Sequence, residues 1–392
     1  MTTTIIITLC ILLLIAYVFD VTSSKTKIPS VILLLVLGWC VRQITIFTET
    51  SIPNLTPVLP ILGTIGLILI VLEGSLELEL DRSKYKLIGK SSFLALSPML
   101  ILSFGLAFIF QYFGETTYRL GLANAIPLAI ISSAIAIPSA KNLMRKEREF
   151  ITYESSLSDI FGVIFFNFVV LNEDLGQNSF WMFILELIAI VVISFVATAG
   201  LAFLLSKLKH HVKFAPIILL VILIYGMSKI YHLPGLIFIL FFGLFLGNID
   251  KFKQYKFIDK LQPETLEHEI HRFKEILTEM TFLIRSLFFL LFGYLIETPE
   301  ILNLYTLIWA VLITVGIFGV RAIHLKIFKL PFSPLLFFAP RGLITILLFL
   351  SIPYEYTVDL VNKSLIIQVI ILTSFVMMYG LIKTKDKQEF VN

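Results

Sequence analysis

The residues best able to do chemistry stand together in Tyr153-Glu154-Ser155-Ser156-Leu157-Ser158-Asp159-Ile160-Phe161-Gly162. Asp159 is an acid set about one-third of the way into an otherwise apolar stretch. Ser155, four residues earlier, shares its face of a helix, and Ser158 adjoins it. Glu154 points well around the helix, and Gly162, one turn on, leaves room for a neighbour. A carboxylate with hydroxyls and free backbone carbonyls is the oxygen set that a small hard cation prefers. Burial disfavours the charged carboxylate, so a proton competes with the cation for the same group. Asp159 is expected to carry one or the other, never both. The alternative, an aspartate paired for packing, would need a base, and its own segment has none.

Four more ionisable groups lie inside apolar stretches: Glu73, Arg285, Arg321 and Arg341. Such groups are expensive within a membrane and usually functional. A guanidinium is never neutral in a protein. The acids at hand are Glu73, Glu154 and Asp159. If Asp159 stays free for the cation, Glu73 and Glu154 are the expected partners of two arginines, with Glu73 to Arg285 as the second pair. These pairs would be structural and would also set the field at the site.

Two prolines then mark where helices open. Pro138 follows Ala136-Ile137, and Pro340 opens Pro340-Arg341-Gly342. Proline has no N–H and crowds the carbonyl four residues back. The carbonyls of Ala134 and Leu336 therefore lose their helical partners, and Gly342 loosens the second break. Ordinary kinks would look alike one at a time. Here the two fall at equivalent positions of two halves, which predicts paired breaks around a buried polar site. The cation set read this way is Asp159, Ser155 and Ser158 with the chain at Ala136 and Ile137.

The elements that must position these groups are membrane helices. Hydrophobic residues make up 58% of the 392 and charged residues 15%, unlike a soluble domain. About 20 apolar residues cross a bilayer. Thirteen segments suffice or nearly so: about 5–18, 28–41, 58–76, 91–113, 120–142, 153–171, 181–205, 214–230, 233–248, 275–296, 306–327, 334–352 and 365–383. The first lacks the basic start and cleavage site of a signal peptide and is kept as a span. With thirteen spans, one set of connectors plus the tail holds 24 of the 31 basic residues. The other set holds four, Arg42, Arg119, Lys229 and Lys363, and three lie within spans. That bias places the N-terminus outside and the C-terminus in the cytoplasm. It also makes a nucleic-acid partner unnecessary.

The expected fold is an all-α integral membrane domain of two inverted six-helix repeats with crossed broken helices. Repeat one covers about 4–172, a linker helix about 180–208 and repeat two about 214–383. Residues 384–392 form a short tail, and no regulatory domain is expected. Other features read plainly. Gly243 and Gly247 form a GxxxG for close helix contact. Glu186 sits near an interface and snorkels. Trp39, Trp181 and Trp309 fit an interfacial belt. His210, His211, His268 and His271 lie in connectors without a metal-ligand arrangement, and Cys10 and Cys40 imply no disulfide framework.

The ordered motifs resemble a family. Glu154-Ser155-Ser156-Leu157-Ser158-Asp159 is similar to the E-x-x-x-(N/D)-D core of sodium/proton exchangers, the monovalent cation–proton antiporters. Leu72-Glu73-Gly74-Ser75-Leu76-Glu77 resembles their l-E-G-l-e signature, Pro340-Arg341-Gly342 their l-R-G, and Gly319-Val320-Arg321 their arginine helix. Lys27-Ile28-Pro29-Ser30 also fits. The resemblance implies a homodimer, with a scaffold and a mobile core that carries the site. It implies Asp159 as the exchanging carboxylate, Ser155 as a cation ligand, and Glu154 paired with Arg321. The chain departs twice. Ala136-Ile137-Pro138 stands where T-D-P or T-S-P is usual, with Ser133 or Ser139 as partial substitutes. Ser158 stands where Asn or Asp is usual, which leaves one titratable carboxylate and predicts electroneutral exchange.

Expected partners are therefore Na⁺ first, Li⁺ or K⁺ next, protons, the bilayer of the cell (inner) membrane and a second copy. No cofactor is expected. A sodium-coupled organic-anion symporter would need more polar breaks than Ile135, Ala136, Ile137 and Ala339 supply. A membrane sensor or anchor would usually come with an output domain.

Overall fold

A computed structural model describes residues 2–49, 53–78, 84–172, 177–207, 214–231, 233, 235–252 and 263–384. The basic stretches 208–213 and 253–262, with His210 and His211, and the tail from 385 lie outside the described residues. The helices are α1 Thr2–Thr26, α2 Ser30–Phe47, α3 Val58–Glu77, α4 Tyr85–Phe113, α5 Tyr118–Ala129, α6 Ser133–Ser139, α7 Arg145–Leu171 and α8 Gln177–Lys207. There follow α9 Phe214–Ile230, α10 Leu236–Gly247, α11 Ile249–Phe252, α12 Pro263–Tyr294, α13 Thr298–Ile301, α14 Leu304–Ile327, α15 Leu343–Leu350 and α16 Lys363–Lys383. No strand occurs among the described residues.

Ten of these spans, counting α5 and α6 as one, are long and apolar enough to cross a membrane. The shorter apolar α9 and α10, and the interrupted stretch from Leu335 through α15, bring the tally to the thirteen expected segments. A 1.5 Å rise per residue explains why most observed helices outrun their apolar centres. The first extends past Val18 to include Asp20, and α12 starts at Pro263, so His268 and His271 lie on a helix rather than in a connector. His271 meets Glu275 at 3.3 Å, one turn on.

The helices pack in two groups. α3 lies against α10 and α12, α2 against α12, and α8 against α10. α4 lies against α5, α7 and α14, α6 against α7, and α14 against α16. The groups meet where α3 touches α6, α7 and α15. Glycines permit the closest approaches. A Cβ on Gly243 would strike Ser75, and one on Gly247 would strike the Leu76 backbone. The GxxxG therefore seats α10 on α3. Gly38 and Gly293 do the same for α2 and α12, each lying on the other helix's backbone.

The first break is not where the proline predicts it. The chain leaves the helix at Ile130–Ser132, and Pro138 falls in the last turn of α6. Ala136 and Ile137 are helical, and both carbonyls accept from the Ala140 N–H at 3.1 Å. The second break lies as expected around Pro340, between a short turn at Leu335–Phe337 and α15. The two breaks cross and touch: the Ser132 N–H donates to the Pro340 carbonyl at 2.9 Å.

Candidate functional site

An opened helix exposes donors and acceptors that a membrane interior must satisfy from within the protein. At the first break the donors go to α7. The Ile131 N–H donates to Ser158 Oγ at 3.0 Å. The Ser133 N–H reaches Asp159 Oδ2 at 3.3 Å, and the Ser133 hydroxyl donates to the same oxygen. Gly162 supplies the room for this, since a Cβ there would occupy the space of the Ile130 side chain. The acceptors go to Arg341. Its Nε donates to the Leu128 carbonyl at 2.8 Å, one terminal nitrogen to Ala129 at 3.2 Å, and the other to Ala339 at 3.0 Å. Its own N–H donates to Thr373 Oγ1 at 3.1 Å.

Arg341 is thus a fixed cap on both breaks, and it is the arginine for which the count of acids leaves no partner. No carboxylate among the described residues lies within ion-pair distance of it. Five donors in a planar fork let one side chain serve carbonyls from two chain segments.

Glu154 and Arg321 meet as a fork, with both carboxylate oxygens engaged at 2.7 and 2.8 Å. Both side chains are almost wholly buried. Arg321 Nε also donates to the Leu335 carbonyl at 2.7 Å, so the pair holds the start of the second break. Arg285 differs from expectation. Its carboxylate partner is Asp20, at 3.3 Å; Asp20 also accepts from Ser30 Oγ at 3.3 Å. Glu73 lies on the same cavity beside Thr278 and feels the Arg285 charge without touching it. Asp20, the one acid of α1, lies just past the apolar stretch that ends at Val18, so hydropathy alone does not place it inside a span.

Asp159 is 1% exposed, and its Oδ1 has no hydrogen-bond partner among the described atoms. Ser155 is equally buried, and its hydroxyl turns back to the Ile151 carbonyl at 2.8 Å. Of the two substitutes for the missing T-D pair, Ser133 touches Asp159, whereas Ser139 lines a separate cavity. A cavity of about 560 Å³ opens between the two helix groups. It runs from Lys84, Arg145 and Lys274 on the basic side to Ser133 and Ala134. It ends one hydrogen bond short of Asp159. A second cavity of about 320 Å³ approaches from the other side and includes Val163, one turn beyond Asp159.

Crossed broken helices around one buried carboxylate, opened from one side by a polar cavity, define a polytopic membrane protein built as secondary transporters are. The profile of the transmembrane sodium/hydrogen exchanger family matches residues 9–382, and the chain belongs to that family. Two structures of the sodium proton antiporter MjNhaP1 from Methanocaldococcus jannaschii, both 19% identical, share the fold. The structure at pH 8 gives a TM-score of 0.68 over 97% of this chain and 96% of that one. The electron-microscopy structure gives 0.71 over 97% and 95%. No curated protein sequence matches the chain.

Proposed function

We propose that this protein is a secondary antiporter that exchanges a monovalent cation, Na⁺ first, for H⁺ by alternating access, with Asp159 binding one or the other. The observation that carries the reading is Asp159 itself. It is an acid buried without a base among the described residues, with one oxygen held by Ser133 and the other without a hydrogen-bond partner among them. Glu154, by contrast, is neutralised by Arg321, and Arg341 is engaged by carbonyls. A carboxylate so placed attracts either a proton or a cation, and occupancy by one excludes the other. Family membership and the MjNhaP1 fold support the same substrates.

The basic side is read as cytoplasmic by charge bias, which puts the N-terminus outside and the protein in the cell membrane. The large cavity then corresponds to a state open to the cytoplasm. The α3-centred group serves as scaffold and dimer surface, and the group around α5–α7 as the moving core. The decisive test is Asp159→Asn, which keeps size and hydrogen bonding but removes the titratable charge. In proteoliposomes loaded with a pH-sensitive dye, the variant is expected to fold like wild type and show no cation-driven proton flux. Near wild-type flux would rule Asp159 out.

A further inference from the structure

The two cavities that approach Asp159 differ in the charge of their walls. The larger mixes acids with bases through its depth, Glu73, Glu77 and Glu279 with Lys141, Lys274 and Arg285 among them. The smaller, of about 320 Å³, has one charged side chain among its described lining residues, Lys229. Leu67, Phe166 and Leu347 make much of its wall apolar. Val163 and Asn167, which also line it, follow Asp159 at successive turns of α7. The cavity therefore lies along the flank of the helix that carries the carboxylate. The seam between the helix groups is tight on this side, since a Cβ on Gly63 of α3 would strike the Leu347 side chain of α15.

Lys229 also differs from the other three bases expected on that side of the membrane. Arg42 pairs with Glu297 at 2.9 Å, Lys363 pairs with Glu300 at 3.0 Å, and Arg119 donates to the Val169 carbonyl at 3.2 Å. Lys229, exposed in the last turn of α9, has no ion-pair or hydrogen-bond partner among the described residues. An unmatched charge in a cleft with apolar walls acts over more of its depth than one on an open surface, because low-dielectric walls focus the field.

We propose that Lys229 is an electrostatic filter on the outer path. It lowers the local cation concentration in this vestibule and so raises the Na⁺ concentration that the outer face needs. This rests on the proposed exchange at Asp159. Acids line the approach from the basic side and draw cations inward, whereas no acid among the described lining residues does so in the vestibule. Lys229 repels H⁺ and Na⁺ alike, so their ratio at the site and the balance of exchange are untouched. Its effect is on how much Na⁺ that face requires when few protons compete.

Right-side-out and everted membrane vesicles, from cells without other Na⁺/H⁺ exchange, present the two faces of the full-length protein separately. The readout is the Na⁺ midpoint of proton flux at alkaline pH, titrated from each face. Lys229→Gln is expected to lower the midpoint about threefold, and Lys229→Glu about tenfold, on the Lys229 face alone. Lys229→Arg, which keeps the charge, should match wild type. Lys363→Gln, which removes a charge from the same side but outside the cavity, should match it too. Added choline chloride should close the gap between wild type and Lys229→Gln, as screening of an exposed charge requires. An unchanged midpoint for Lys229→Gln, an equal shift on both faces, or the same shift in Lys363→Gln would overturn the filter. Asp159→Asn keeps the two levels apart. Exchange surviving in that variant defeats the site reading itself, whereas its silence beside a wild-type midpoint in Lys229→Gln defeats only the role of Lys229.

Discussion

Glu154 and Arg321 show how a charge is kept inside a membrane protein. Each would be prohibitive alone, and together they form a two-bond fork, while the arginine's Nε caps the Leu335 carbonyl. Replacing either by a neutral residue strands the other and is expected to cost about 3–5 kcal/mol, with much of that recovered in the double replacement. Thermal unfolding across the double-mutant cycle in detergent checks this, and additive losses would reject the coupling. The pair was foreseeable because the resemblance named both residues. Arg285 was not, since its choice of Asp20 over Glu73 depends on how α1, α2 and α12 are rotated against one another. Sequence spacing carries no information on that rotation. The same holds for Ser156. Its type is plain in the sequence, but that its hydroxyl has no partner among the described residues appears only once its neighbours are placed.

At the scale of elements, the second break was legible and the first was displaced. Pro340 and Gly342 both disfavour helix where the chain actually opens. Pro138 removes only the donor that Ala134 would receive, and α6 closes around it by pairing Ala140 with Ala136 and Ile137. The true opening at Ile130–Ser132 lies where partners wait: Ser158, Asp159 and Pro340 for its donors, Arg341 for its acceptors. Tertiary satisfaction, not local propensity, fixes the position. Arg341 is therefore expected to be intolerant of lysine. Arg341→Lys keeps the charge but has one nitrogen to replace three, so the carbonyls of Leu128, Ala129 and Ala339 cannot all be served. Each lost charge-assisted bond contributes about 1.5–3 kcal/mol. A large drop in melting temperature with the Na⁺ midpoint little changed is the expected pattern; an unchanged melting curve would remove Arg341 from its capping role.

At the scale of the molecule, hydropathy and proline placement sufficed for thirteen segments and a crossing, because apolar length is written directly in composition. Sequence says less about how the two helix groups are joined. Four ion pairs among the described residues lie within groups: Asp20 with Arg285 and Glu77 with Lys274 in one, Glu149 with Lys84 and Glu154 with Arg321 in the other. Side chains tie the groups together at their margins. Lys27 reaches the Thr384 carbonyl, and α13 is held by Trp39 and Gln43 on one side and by Ser364 and Gln368 on the other. Such a seam suits relative motion, and the charge that moves with the core then decides the response to voltage. In the proposed cycle Ser158 carries no titratable proton and is bound to Ile131. If, as we propose, Glu154 stays locked to Arg321 throughout the cycle, one carboxylate, Asp159, is left to return with H⁺ after leaving with a cation, so that exchange is one for one and no net charge crosses. A membrane potential, which contributes about 2.3 kcal/mol per moving charge per 100 mV, then has no purchase on the overall reaction. Cation-driven proton flux in proteoliposomes should be the same with and without a valinomycin-clamped potential. A sustained voltage dependence, or a current on a solid-supported membrane matching full turnover, would mean that a second charge travels. Glu154, released from Arg321 during the cycle, would be the residue to blame.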